Sequence, residues 1–175
     1  IGKYIENAKG LCDVGADVIT IADCPTAKAR MDSSLVACML QQEGIETLPH
    51  MTCRDRNLNA SQALLMGLSA AEVQNLLIVT GDPIPTAERD EVKSVYQFNS
   101  RKMAHFIRGL EKKGEIHPFH VFGALNINAM NFDAELGRAE KKIEKGMQGL
   151  LTQPVLSRRG FENLRRAKES LDCYI

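Results

Sequence analysis

Five short polar clusters punctuate this 175-residue chain, each directly behind an apolar run. They are Thr20 and Asp23; His50, Thr52, Arg54 and Asp55; Thr80, Gly81 and Asp82; Asn126 and Asn128; Thr152 and Gln153. Gathered on one rim, these groups offer amides, hydroxyls and a carboxylate to a heteroaromatic ring with a donor and acceptor edge, such as a pterin or a flavin. Each also has a plainer role. Asp82 precedes Pro83 and suits a turn, and His50 inside an apolar strand suits a satisfied core histidine. Arg54-Asp55-Arg56 reads most simply as a solvated loop with local ion pairs. Asn126 and Asn128 read as turn residues that tolerate left-handed backbone. The shared position behind every apolar run favours the chemical reading over the plain one.

Arg138, Lys141 and Lys142 follow the fourth apolar run and could meet a diphosphate. As a plain alternative they form an exposed helix face paired with Glu135, Glu140 and Glu144. No Ser-His-Asp set stands out, H-E-x-x-H is absent, and His105, His117 and His120 are spread over a helix, a connection and a strand, so no metal site is expected. Cys12, Cys24, Cys38, Cys53 and Cys173 are odd in number and lack a C-x-x-C pair, which argues against disulfides and zinc. Most are expected to be small buried hydrophobes.

Composition narrows the partners. With 44% hydrophobic and 25% charged residues the chain has the make-up of a soluble globular domain. Lys plus Arg, 22, balance Asp plus Glu, 22, leaving no net field for nucleic acid or an anionic membrane face. No apolar run approaches the roughly 20 residues of a membrane helix, and no signal peptide is visible, so a cytoplasmic location is expected.

The elements that must position these residues alternate between helical period and β-rich runs. Tyr4, Ile5, Ala8, Leu11 and Cys12 form a helix stripe that stops at Gly15, and Val18 to Ala22 reads as a strand buried on both faces. Leu35, Val36, Met39 and Leu40 form the next helix, ending at Gly44, before a strand from Thr47 to Thr52. Leu64, Leu65 and Leu68 precede the strand Leu76 to Thr80; Met103, Phe106, Ile107 and Leu110 precede Phe119 to Leu125. A helix with Asp133 as N-cap carries Leu136, Ala139, Ile143 and Met147 and leads to the strand Leu150 to Thr152. Phe161, Leu164, Ala167 and Leu171 form the last helix, and Cys173 to Ile175 starts a sixth strand.

Helix and strand alternating about every 30 residues means parallel strands with right-handed crossovers. Neither G-x-G-x-x-G nor G-x-x-x-x-G-K-[ST] occurs, which favours a (β/α)8 TIM barrel over a doubly wound nucleotide binder. A barrel takes eight strands. This α/β chain supplies five and the start of a sixth, so the barrel is expected to be incomplete, with the first and last strands missing, and the chain to be an excerpt of a larger protein.

Leu48 to Asp55 (LPHMTCRD), Leu77 to Pro83 (LIVTGDP) and Leu151 to Pro154 (LTQP), in that order and spacing, resemble methylenetetrahydrofolate reductase. The forms HMTCRDRN and VTGDP look most like the reductase part of bacterial bifunctional proteins that also carry a homocysteine S-methyltransferase domain. The resemblance implies that residues 1–175 are part of a single FAD-binding reductase barrel domain. It implies reduction of 5,10-methylenetetrahydrofolate to 5-methyltetrahydrofolate, with NAD(P)H as electron donor, FAD as cofactor and a folate as substrate. It further implies that Thr20, Ile21, Asp23, His50, Thr80, Gly81 and Asp82 line the flavin. Tyr96, Gln97, Leu125, Glu135, Arg138, Lys141 and Lys142 contact the rest of FAD, and Asp82 and Gln153 hold the folate. Asp82 is the catalytic candidate, since a negative charge beside a flavin tunes its potential. The family's acid, a glutamate on the first barrel strand, would precede Ile1. The connection after Asn126 is shorter than in the enterobacterial type and has no histidine to match the one found there, and Leu125 stands where an aromatic is common. By this reading the chain alone is inactive, and a homo-oligomer or a fused methyltransferase domain is allowed. Two alternatives remain open: a flavin-free pterin-dependent methyltransferase barrel, and a non-catalytic scaffold domain.

Overall fold

Side-chain caps start most of the helices. In α2 (Ser33–Gln42) the Asp32 carboxylate accepts from the Ser34 and Leu35 amides, and in α3 (Leu58–Ala70) Asn57 accepts from Ala60. Asn99 caps α4 (Ser100–Lys112), Asn131 caps α5 (Phe132–Glu144) and Ser157 caps α6 (Arg158–Ser170), each satisfying an amide that the first helical turn leaves free. The expected cap Asp133 is corrected here. It lies one residue inside α5, where its charge favours the N-terminal end, while the Asn131 side chain takes the Ala134 amide at 3.0 Å. The opening helix, α1 (Gly2–Asp13), has no side-chain cap.

These helices alternate with β1 (Ile19–Ile21), β2 (Thr47–Thr52), β3 (Asn75–Val79), β4 (His120–Leu125) and β5 (Gly149–Thr152). The structure, a computed structural model, describes residues 1–88 and 91–175. All pairings are parallel and sequential, in the order β1-β2-β3-β4-β5, and the sheet curls into part of a TIM barrel. Beyond β5, Tyr174 bridges Gly149 in parallel and its carbonyl accepts from the Leu150 amide at 2.8 Å, so the sixth strand begins where the sequence places it. No helix among the described residues is long and apolar enough to cross a membrane.

Strand period two sorts the side chains between two faces. Ile19 and Ile21, Met51, Leu76 and Ile78, and Val121 point outward into the layer shared with α1 to α4. Leu125 and Leu150 join Phe132, Leu136, Ala139 and Ala167 in a second cluster under α5 and α6. The opposite, concave face carries Thr20, His50 and Leu77, and it is this face, at the C-terminal ends of the strands, that the polar clusters crown. β1 differs from expectation: it is three residues long, and Thr20 at its centre is exposed, since the strand has a neighbour on one side only. Leu11, Leu35 and Phe161, read as members of helix stripes, are exposed too. Among the cysteines only Cys53 is fully buried, and its thiol is pushed up to about 12 by burial. Cys12, Cys38 and Cys173 pack partly buried at the core margins.

Candidate functional site

At the ends of β1, β2 and β3 lies a cavity of about 370 Å³, lined by Asp23, Cys24, His50, Thr52, Arg54, Gly81 and Asp82 among others. Next to it, at the ends of β3 and β4, a second cavity of about 270 Å³ is lined by Thr80, Asn99, Ser100, Arg101, Arg138 and Lys142. Val79 and Ala124 line both, so the two adjoin. The first is walled by hydrogen-bonding groups, the carboxylates of Asp23 and Asp82 and the paired guanidinium of Arg54, the second by Arg101, Arg138 and Lys142 with no carboxylate in its lining.

Asp82 is exposed, and three groups fix it. Its Oδ2 accepts from the Thr26 amide at 3.0 Å, and its carbonyl accepts from Arg54 Nη1 at 3.1 Å and from the Tyr96 hydroxyl at 3.2 Å. Gly81 beside it holds φ +99°, and a Cβ there would overlap Thr52 Cγ2, so glycine lets β3 turn against β2 without strain at this point. Arg54 overturns the solvated-loop reading. It is 2% exposed, forks onto both Asp55 oxygens at 2.7 and 2.6 Å, and that pairing raises its already high pKa. Arg56 is likewise turned inward, to Asp23 Oδ2 at 2.6 Å and Asp32 Oδ2 at 3.1 Å.

Asp23 is buried, and its Oδ2 also accepts from the Thr52 amide at 2.9 Å, so this carboxylate knits β1 to β2 at the cavity wall. His50 Nε2 stands 3.0 Å from Thr20 Oγ1. Burial lowers the His50 pKa, with the Asp23 charge opposing, so the imidazole favours its neutral form. Thr80 is exposed at the mouth of the cationic cavity.

That second cavity is built by α4 and α5. Glu135 is buried, takes the Asn126 amide on Oε1 at 3.1 Å and holds Arg138 Nη2 on Oε2 at 2.6 Å. Lys142 Nζ donates to the Ala124 carbonyl at the end of β4, and burial lowers its pKa while Glu135 pulls it back up. Arg101 also lines the cavity and, among the described residues, has no hydrogen-bonding or ion-pairing side-chain partner. Sequence reasoning missed it because a single arginine in a first helical turn carries no spacing signal. It named Arg54 among the strand-end groups but not its burial, because nothing in local sequence shows burial.

Other residues expected at the site line neither of these two cavities. Ile21 and Leu125 point into the core between sheet and helices, leaving only their main chain for the concave side. Gln97 caps α3, its Oε1 accepting from the Leu58 amide at 2.7 Å. Tyr96 lies on the segment after β3, with its hydroxyl on the Asp82 carbonyl. Lys141 lines a different and larger cavity, about 670 Å³, between α4 and α5, with Phe98, His105 and Phe106. Asn126 and Asn128 form a turn in which the Asn126 side chain accepts from the Asn128 amide at 3.0 Å, and neither is among the residues with left-handed backbone. Gln153 is exposed at the end of β5. Among the described residues no group of three His, Cys, Asp or Glu side chains is placed to hold a metal ion.

Comparison with known proteins gives this rim a context. The family described as methylenetetrahydrofolate reductase matches residues 3–172. A probable methylenetetrahydrofolate reductase (NADPH) of Caenorhabditis elegans is 27% identical over 141 residues, covering 79% of this chain and 20% of that protein. The chain therefore spans about one fifth of that relative's length. A match running through every strand and helix from α1 to α6 has one consequence: this chain belongs to the methylenetetrahydrofolate reductase family.

Proposed function

We propose that the protein reduces 5,10-methylenetetrahydrofolate to 5-methyltetrahydrofolate with NAD(P)H, using FAD held across the two adjoining strand-end cavities. The observation that carries this reading is their division of labour: hydrogen-bonding groups and two carboxylates, with Arg54 tied to Asp55, in one, and Arg101, Arg138 and Lys142 in the other. A ring system with a diphosphate attached needs both, in contact and on one rim. The donor set therefore fits FAD. When bound, FAD supplies the hydride chemistry, taking electrons from the nicotinamide and passing them to the folate.

The chain's own residues bind and orient. Arg138 and Lys142 meet the diphosphate, and Glu135 keeps Arg138 aimed while its buried carboxylate steadies the turn after β4. His50, largely neutral, offers a ring nitrogen beside Thr20. Asp82 presents a carboxylate to the aminopyrimidinone edge of the folate, and Gln153 presents an amide. Asp23, with both Thr52 and Arg56 on one oxygen, acts as a wall of the site. Orientation is the protein's main contribution, because hydride transfer demands near contact of the reacting atoms.

A fused homocysteine S-methyltransferase domain belongs to the same proposal and rests on the sequence forms at residues 50–57 and 79–83. Titrating the full-length protein with FAD, and following quenching of flavin fluorescence, tests the cofactor. Saturable binding that weakens in Lys142→Met supports it, whereas absence of binding favours the flavin-free pterin barrel.

A further inference from the structure

Within this reductase reading, we propose that Arg54 is a positioning residue that sets Asp82 for the folate through its main chain. Four observations converge on it. Arg54 is 2% exposed, although an arginine needs strong partners to be buried at all. Asp55 occupies Nε and Nη2 at 2.7 and 2.6 Å, which fixes the plane of the guanidinium. The remaining Nη1 points at the Asp82 carbonyl at 3.1 Å. Finally, the Arg54 carbonyl accepts from the Val95 and Tyr96 amides at 2.7 and 3.2 Å, and the Tyr96 hydroxyl returns to the Asp82 carbonyl at 3.2 Å.

The result is a closed clamp. One residue at the end of β2 grips the turn after β3 with its side chain and the segment before α4 with its main chain, and Tyr96 links the two. Gly81, with φ +99°, gives the Asp82 turn a backbone state that ordinary residues rarely take, so it needs such external bonds to stay in one conformation. The Asp82 carboxylate meanwhile accepts from Thr26, so its main chain and its side chain are oriented by separate partners. Arg54 reaches the Asp82 carbonyl and leaves the carboxylate to its own partners, so its effect on folate is carried by geometry. A displacement of the carboxylate by about 1 Å is enough to cost about 100-fold in a rate that depends on alignment.

The test separates the two half-reactions in the full-length, FAD-loaded protein. In Arg54→Met, reoxidation by 5,10-methylenetetrahydrofolate slows by about 10-fold to 100-fold, at least about fivefold more than flavin reduction by NAD(P)H does. Amide hydrogen exchange over 81–82 and 95–97 quickens about tenfold, as loss of a charge-assisted hydrogen bond requires. Tyr96→Phe removes the second bond to the same carbonyl without touching a buried charge and changes folate reoxidation in the same direction by a smaller factor. It decides the matter if Arg54→Met fails to fold. Equal slowing of both half-reactions, or unchanged folate reoxidation, overturns the proposal. If the parent protein turns over no 5,10-methylenetetrahydrofolate, the reductase reading falls by itself, and unchanged exchange over 81–82 then removes the clamp as well.

Discussion

On the proposed reading, Asp82 is the single side chain that matters most for the chemistry. Replacing its carboxylate with an amide keeps the size but removes the charged acceptor, so Asp82→Asn is expected to slow folate reduction about 10-fold to 100-fold while flavin reduction by NAD(P)H changes less. Rapid mixing of each half-reaction checks this, and equal losses in both would remove Asp82 from the folate site. His50 provides a pH signature. Burial lowers its pKa in the folded chain below the roughly 6.5 of a free histidine. As pH falls from about 6.5 towards the folded value, the unfolded chain takes up a proton that the folded chain does not, so stability declines in that window and is unaffected above it. His50→Gln should flatten this acid-side decline in denaturant midpoints measured between about pH 8 and pH 5, and an unchanged slope would contradict it. Residue types at the strand ends were legible in sequence because they recur behind every apolar run. Which of them are occupied in holding the wall was not: Asp23 bonds Thr52 and Arg56, and Gln97 caps α3, through partners 29 or more positions away.

At the scale of elements, the turn after β3 is the tightest point of the rim. Gly81→Ala would force a side chain into a left-handed backbone and against Thr52 Cγ2, and the expected cost is about 1–3 kcal/mol, read as a lowered denaturant midpoint. A midpoint equal to the parent's would mean the turn relaxes freely and does not fix Asp82. The alternation of strands and helices was readable because the helical apolar period gives way to short, nearly continuous β-rich runs at each boundary. The caps were less so. Asn131 and Asp133 are both good N-cap residues two positions apart, and only the path of the chain leaving β4 selects Asn131. Faces were harder still, since Ile21 and Leu125 stand next to chemical residues yet point the other way, a parity fixed by the pairing of Ile21 with Pro49 and of Leu125 with Thr152.

For the whole molecule, five parallel strands in sequential order curl without closing. β1 pairs on one side only, and beyond β5 the pairing is a bridge at Tyr174. An open parallel sheet of this kind lacks the mutual support of a closed barrel. The 175-residue chain by itself is therefore expected to melt broadly, with a calorimetric enthalpy larger than the van't Hoff value, and a sharp two-state transition would contradict this. Parallel strands were legible from the spacing, and the barrel from the lack of a glycine-rich phosphate turn, whereas the sharing of Val79 and Ala124 by the two rim cavities was not, because it depends on where side chains 45 positions apart lie. The central claim is that these cavities hold a flavin that passes electrons to a folate. Its most direct test is anaerobic spectroscopy of the full-length, FAD-loaded protein. The account predicts that NAD(P)H bleaches the flavin and that 5,10-methylenetetrahydrofolate then restores its colour, more slowly in Asp82→Asn. A protein that takes up no flavin, or whose reduced flavin stays bleached when the folate is added, would contradict it.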